Sequence, residues 1–257
     1  MTNESLQKHF ESMGARVKFR SDETRARWSG APLNSFTIDI KRDPRGEFFE
    51  IARGKDAPAL ELLQVKPQER HLLLYATDGQ RFLCGHDERH WFVAGIAGAA
   101  STVRDAKQSL MPEVVREGAK SLPRKQANKR RNTAFMRQGE WFFVPVDLKV
   151  PEDRILKNEP LQRTAGSKPH ICLELYREGG ELVYIVGGQA LTKAEYAKRS
   201  KADATLHKRL TRTMVRNPKV YARGYVKHED HATLTLKGWH RVFINAEFTT
   251  SAVSFLD

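Results

Sequence analysis

Residues 36–51 read FTIDIKRDPRGEFFEI. Phe36, Ile38 and Ile40 alternate with polar residues, Asp43-Pro44-Arg45-Gly46 has the composition of a tight turn, and Glu47 to Ile51 returns to strand-forming residues. A period of two puts one side of each strand on a core and the other toward water, so the stretch predicts an antiparallel hairpin. Upstream, Leu6, Phe10 and Met13 are spaced as one face of a short amphipathic helix that Gly14 can end. Downstream, the runs Leu60 to Val65, His71 to Ala76, Arg81 to Cys84 and His90 to Ala94 are separated by polar turns such as Asp78-Gly79. Residues 1–100 therefore predict an α+β domain in which an N-terminal helix braces an antiparallel meander.

Residues 101–138 predict a helical and basic connector. Val103, Ala106 and Leu110 have helical spacing behind Ser101 as an N-cap, and Pro112 begins a second helix that ends near Gly118. From Gly118 to Gly139 come Lys120, Arg124, Lys125, Lys129, Arg130, Arg131 and Arg137, with no Asp or Glu. Few apolar residues interrupt the segment, which predicts that burial does not hold it down.

Residues 139–257 predict a second, basic β-rich domain. Trp141 to Val146 reads as a strand, and Ile171 to Tyr176 as pairing with Leu182 to Val186 across Gly179-Gly180. Thr192 and Glu195 form a capping box that predicts a long helix over 192–216, closed by Pro218. Its buried stripe would be Ala202, Leu206, Leu210 and Met214, with Lys201, Lys208 and Arg212 opposite, flanked by Arg209 and Arg216. Tyr221 to Val226, Ala232 to Leu236 and Trp239 to Ile244 predict a last three-strand meander with turns at His228-Glu229-Asp230 and Lys237-Gly238.

The charge is segregated. Of 44 Lys+Arg and 31 Asp+Glu, residues 1–115 hold 17 and 16, so nearly all of the net charge of +13 lies in the second half. Such a distribution points to a polyanion partner. A hydrophobic content of 40% excludes wholesale disorder. Cys84 and Cys172 are too few for a disulfide framework, the apolar stretch from Trp91 to Ala100 is too short to span a bilayer, and residues 1–14 lack a secretory pattern. The expectation is a cytoplasmic protein with no membrane partner.

Nucleic acid is the expected partner, RNA ahead of DNA. Phosphate contacts would come from Lys120, Arg124, Lys125, Lys129, Arg130, Arg131, Lys208, Arg209, Arg212 and Arg216. Tyr221, Arg223 and Tyr225 share a strand face and would stack bases, as sheets that hold single-stranded RNA do; the bland alternative makes that face core. RNA is favoured because no short two-helix unit suits the DNA major groove.

Two histidine clusters offer chemistry. Cys84-Gly85-His86-Asp87-Glu88-Arg89-His90 and His228-Glu229-Asp230-His231 both fall at expected turns. His86, His90, His228 and His231 are candidate acid-base residues of a nuclease or other phosphodiesterase, and Cys84, His86 and His90 candidate ligands of a divalent metal. Neither string is a zincin motif, and ordinary charged turns explain them as well. No cofactor is otherwise expected, since nucleotide-binding glycine motifs and a nucleophile elbow are lacking. An assembly protein docking an acidic protein partner is the remaining alternative.

Overall fold

The computed structural model describes residues 1–21, 36–127, 129–163 and 167–247, with the side chain of Arg124 also outside the described set. The fold is α+β. Among the described residues it has α1 (Asn3–Ser12), α2 (Val103–Ser109), α3 (Glu113–Lys120), α4 (Arg124–Ala127) and α5 (Lys193–Ala202). Its strands are β1 (Val17–Ser21), β2 (Phe36–Asp43), β3 (Gly46–Arg53), β4 (Leu60–Lys66), β5 (His71–Ala76), β6 (Arg81–Asp87), β7 (His90–Gly95), β8 (Met136–Gln138), β9 (Trp141–Pro145), β10 (Leu156–Leu161), β11 (His170–Glu178), β12 (Glu181–Val186), β13 (Gln189–Thr192), β14 (Leu210–Arg216), β15 (Lys219–Lys227) and β16 (Leu234–Ile244). No helix among the described residues is long and apolar enough to cross a membrane.

The hairpin at 36–51 forms as β2 and β3, with Asp43 opposite Gly46. It is not part of a single meander: β1 joins β3 in parallel, giving a sheet β1-β3-β2, while β4 to β7 make a separate antiparallel sheet in chain order. The second sheet is covered on both faces, which explains why the residues of β5, HLLLYA, are almost all buried. Leu72, Leu74, Phe82, Cys84 and Trp91 face α1 and the first sheet, whereas Leu73, Leu83 and Ala94 face α2. Thr102, not Ser101, caps α2, its hydroxyl accepting the Asp105 amide at 3.1 Å.

The basic connector is held down after all. Phe135 is 1% exposed and packs with Val115 and Ala119 of α3 against Phe142 of β9. Arg130 is ion-paired with Asp87 and Glu88 at the β6–β7 tip. One buried aromatic and one bridging arginine anchor a segment whose composition alone suggested none.

The second half is built on the sheet β10-β11-β15-β16-β9-β8. Its pairing overturns the predicted hairpin of β11 with β12: β11 pairs with β10 and β15, and β12 with β13 and β14. At Gly180 (φ +90°) a Cβ would fall 2.5 Å from Val215 Cγ1 and 2.9 Å from the Arg216 carbonyl, so only glycine lets the two stems approach there. The chain therefore runs on from β11 into an arm, residues 181–216, and returns through Asn217-Pro218 into β15.

Within the arm the long helix over 192–216 is not present. The capping box of Thr192 and Glu195 opens α5, but the helix stops at Ala202. Asp203 turns the chain by accepting the Thr205 amide and hydroxyl at 2.9 and 2.6 Å, and the alternating β-branched Thr211, Thr213 and Val215 then favour the strand β14. Leu206 does reach a small core with Val186 and Leu191, while Met214 is 43% exposed, so the predicted four-residue stripe is broken. The final meander is likewise two strands. Gly238 (φ +85°) makes a bulge inside β16, and the register passes from Ala222 opposite His240 to Gly224 opposite Leu236.

Candidate functional site

The β11–β15 register decides the site. Ile171 lies opposite Lys227, so His170, the first residue of β11, stands beside His228, the first residue after β15. The loop from His228 to His231 then folds back over His170. The His170 and His228 rings stack at 4.1 Å, and His231 lies 5.6 Å from His170 and 4.7 Å from His228, centroid to centroid. One ring nitrogen from each residue falls within 4.8 Å of the others. His170 is 1% exposed, and among the described residues neither of its ring nitrogens has a hydrogen-bond partner.

The first half supplies the rest. The β6–β7 turn reaches the loop, and Glu88 accepts from His231 Nδ1 at 3.1 Å and from the Ala232 amide at 3.2 Å. His90 bridges two carboxylates, with Nδ1 2.6 Å from Glu47 and Nε2 3.3 Å from Asp230. Asp230 also holds Lys168 at 2.7 Å, and its amide donates to His228 Nδ1 at 3.1 Å. The two histidine strings, far apart in sequence, thus face one cavity of about 370 Å³. His90, His228 and His231 line it, together with His170.

Electrostatics favour neutral imidazoles in the trio. Burial, then the neighbouring His228 and His231, pushes His170 down to about 3. Burial also lowers His228, helped by His231, and lowers His231 against the opposing pull of Glu88. Near neutral pH all three offer lone pairs. The cations of the cavity are matched by acids: Lys41 with Asp39, Arg42 with Glu47, Arg137 with Asp87, Arg163 with Glu247 and Lys168 with Asp230. The cavity is polar and ionic without being a cationic trap.

Several candidates stand elsewhere. Cys84 is fully buried in the first core, where burial pushes its thiol up, and it is no ligand. His86 lies on the same strand face as Cys84, its ring edge-on to Trp91 at 4.9 Å, whereas Asp87 and His90 are cross-strand partners that both line the cavity. The Cys84, His86 and His90 metal set is therefore not formed.

The stacking face is also largely core. Tyr221 and Trp239 pack with Ile155 and Tyr176 under Val146, Leu148 and Val150. Arg223 is held by Glu174 and lies over Trp239, leaving Tyr225, 50% exposed, as the open ring.

Of the phosphate candidates, Lys120, Arg130, Arg209 and Arg216 are ion-paired with Glu117, Asp87 and Glu88, Asp203 and Glu181. Lys125, Lys129, Arg131, Lys208 and Arg212 are exposed, and no ion pair of theirs occurs among the described residues. Arg124 lies on α4, its side chain outside the described residues.

His170 is the residue that sequence reasoning passed over. Its signal was pairing: a histidine opening one strand becomes informative only when that strand is matched to the one ending before His228. Gly139 was missed as well. At φ +56° it keeps open the space beside the trio, since a Cβ there would lie 3.0 Å from His231 Nε2 and 3.1 Å from His170 Nε2. Comparison with protein-family models, with curated proteins and with solved structures finds no match to this chain.

Proposed function

We propose that the protein hydrolyses phosphodiester bonds in nucleic acid, RNA foremost, with the histidine-lined cavity as reaction centre and the 181–216 arm as the surface that holds the strand. The observation that carries this reading is the convergence of His170, His228 and His231 with His90 and Asp230 in one cavity, with His231 held by Glu88. Substrate class rests on charge: the arm has eight Lys or Arg against Glu181, Glu195 and Asp203. In hydrolysis, water oxygen adds to phosphorus and the ester oxygen leaves. Asp230 takes the proton from water, and His90 delivers one to the leaving oxygen and regains it through its contact with Asp230.

Labelled single-stranded RNA, duplex RNA and DNA, each incubated with Mg²⁺, Mn²⁺ or Zn²⁺, test the reading. Cleavage lost in Asp230→Asn and His90→Ala, with binding retained, is the expected result. No turnover of any substrate with any metal overturns it. In that event the exposed Lys208 and Arg212 of the arm favour the second reading, an RNA-binding protein without turnover.

A further inference from the structure

We propose that His170, His228 and His231 bind one divalent transition metal ion of the zinc class. The inference does not rest on the hydrolase reading, because it requires neither nucleic acid nor turnover. Three features of the structure support it.

The donor set comes first. Three neutral imidazoles suit zinc and its first-row neighbours, whereas Mg²⁺ and Ca²⁺ take oxygen. Second, the fully buried His170 carries two ring nitrogens without partners among the described residues, and an unmet buried polar group is costly. A neutral ring has one lone pair and one N–H, so an ion on the lone pair removes half of that cost. Third, the surroundings are those of a ligand shell. Gly139 leaves free the space next to Nε2 of both His170 and His231. Glu88 accepts from Nδ1 of His231, which fixes the lone pair on Nε2, the arrangement by which a carboxylate orients a metal-binding imidazole.

Binding requires the rings to close. Tetrahedral zinc holds its nitrogen ligands about 3.3 Å apart, closer than the 4.8 Å within which the three donor atoms lie. The His170 and His228 rings, nearly parallel at 25°, must turn toward a common point. His228 gives up the Asp230 amide in doing so. With three protein ligands, the fourth place is left for water on the cavity side, the arrangement of catalytic rather than structural zinc.

The full chain, freed of any affinity tag and stripped with chelator, is titrated with Co²⁺, whose visible absorption reports tetrahedral coordination, and then competed with Zn²⁺. One equivalent per chain is expected, displaced by Zn²⁺. His228→Gln and His231→Gln should each weaken binding by more than tenfold and Glu88→Gln by about tenfold, with His170 kept so that the core stays filled. Thermal melts of the metal-free variants check that they fold. No saturable binding at one equivalent, or affinity unchanged in both histidine variants, overturns the site. Metal binding without cleavage leaves the site standing and removes the hydrolase reading. Cleavage that persists in the stripped protein, with no binding, does the reverse.

Discussion

His71 shows what a single buried imidazole does to stability. It is 9% exposed, and burial, reinforced by Lys107 and opposed by the Glu69 carbonyl, pushes it down to about 4. The unfolded chain takes up a proton as pH falls through about 6.5, while the folded chain refuses it until about 4. Its contribution is therefore complete above that upper value and is lost across the window below it, about 2 kcal/mol by pH 5. Urea midpoints at pH 7 and pH 5 should differ less in His71→Gln than in the parent; an equal difference sinks the assignment. Gly85 belongs to the same contact, since a Cβ there would lie 2.5 Å from His71 Cδ2 and 2.9 Å from Phe92 Cε1. Gly85→Ala should destabilise by about 1–3 kcal/mol, read from the same midpoints.

At this scale the sequence was legible where chemistry is local. The turn at 43–46, the capping box at Thr192 and the tip positions of both histidine strings follow from neighbouring residues. For Tyr221 the core reading was open from the sequence, but its cover was not legible, because it comes from residues 146–155 and not from a helix.

Among elements, the arm departs furthest from expectation. A capping box and a run of Lys, Arg and Leu satisfied the helical pattern, and neither sensed that Asp203 would turn the chain or that Thr211, Thr213 and Val215 would join a sheet. The stems give a direct test. Glu178 lies opposite Lys219, so removal of 181–216 leaves Gly179, Gly180, Asn217 and Pro218 as a ready connection between β11 and β15. The core of the arm is its own, Val186, Leu191 and Leu206. The shortened protein should keep its strand content by circular dichroism and melt cooperatively, yet lose most of its affinity for RNA. A deletion that unfolds the second half would mean that the arm is structural. In the full chain, replacing Lys208 and Arg212 by Ala should lower the salt slope of RNA binding by about 2.

For the molecule as a whole, composition suggested a basic connector over residues 101–138 between two domains, but it did not show which contacts would join the residues on either side of it. No local pattern announces that Glu88 will meet His231, or that His90 will meet Asp230. These contacts, with Arg130 on Asp87 and Glu88, tie the β6–β7 tip to the second half. Asp87→Ala with Glu88→Ala should leave both cores intact and speed proteolysis of residues 121–134, while cleavage elsewhere stays unchanged. Uniform acceleration would indicate global destabilisation instead.

The placement of Glu88 against His231 also spreads the site over both halves of the chain. Residues 1–120 carry Glu47, Glu88 and His90, and residues 129–257 carry His170, His228, Asp230 and His231. Supplied as two separate chains, the halves each hold an incomplete set. The complete constellation exists only while they are associated, so its chemistry would report their pairing as a split reporter does.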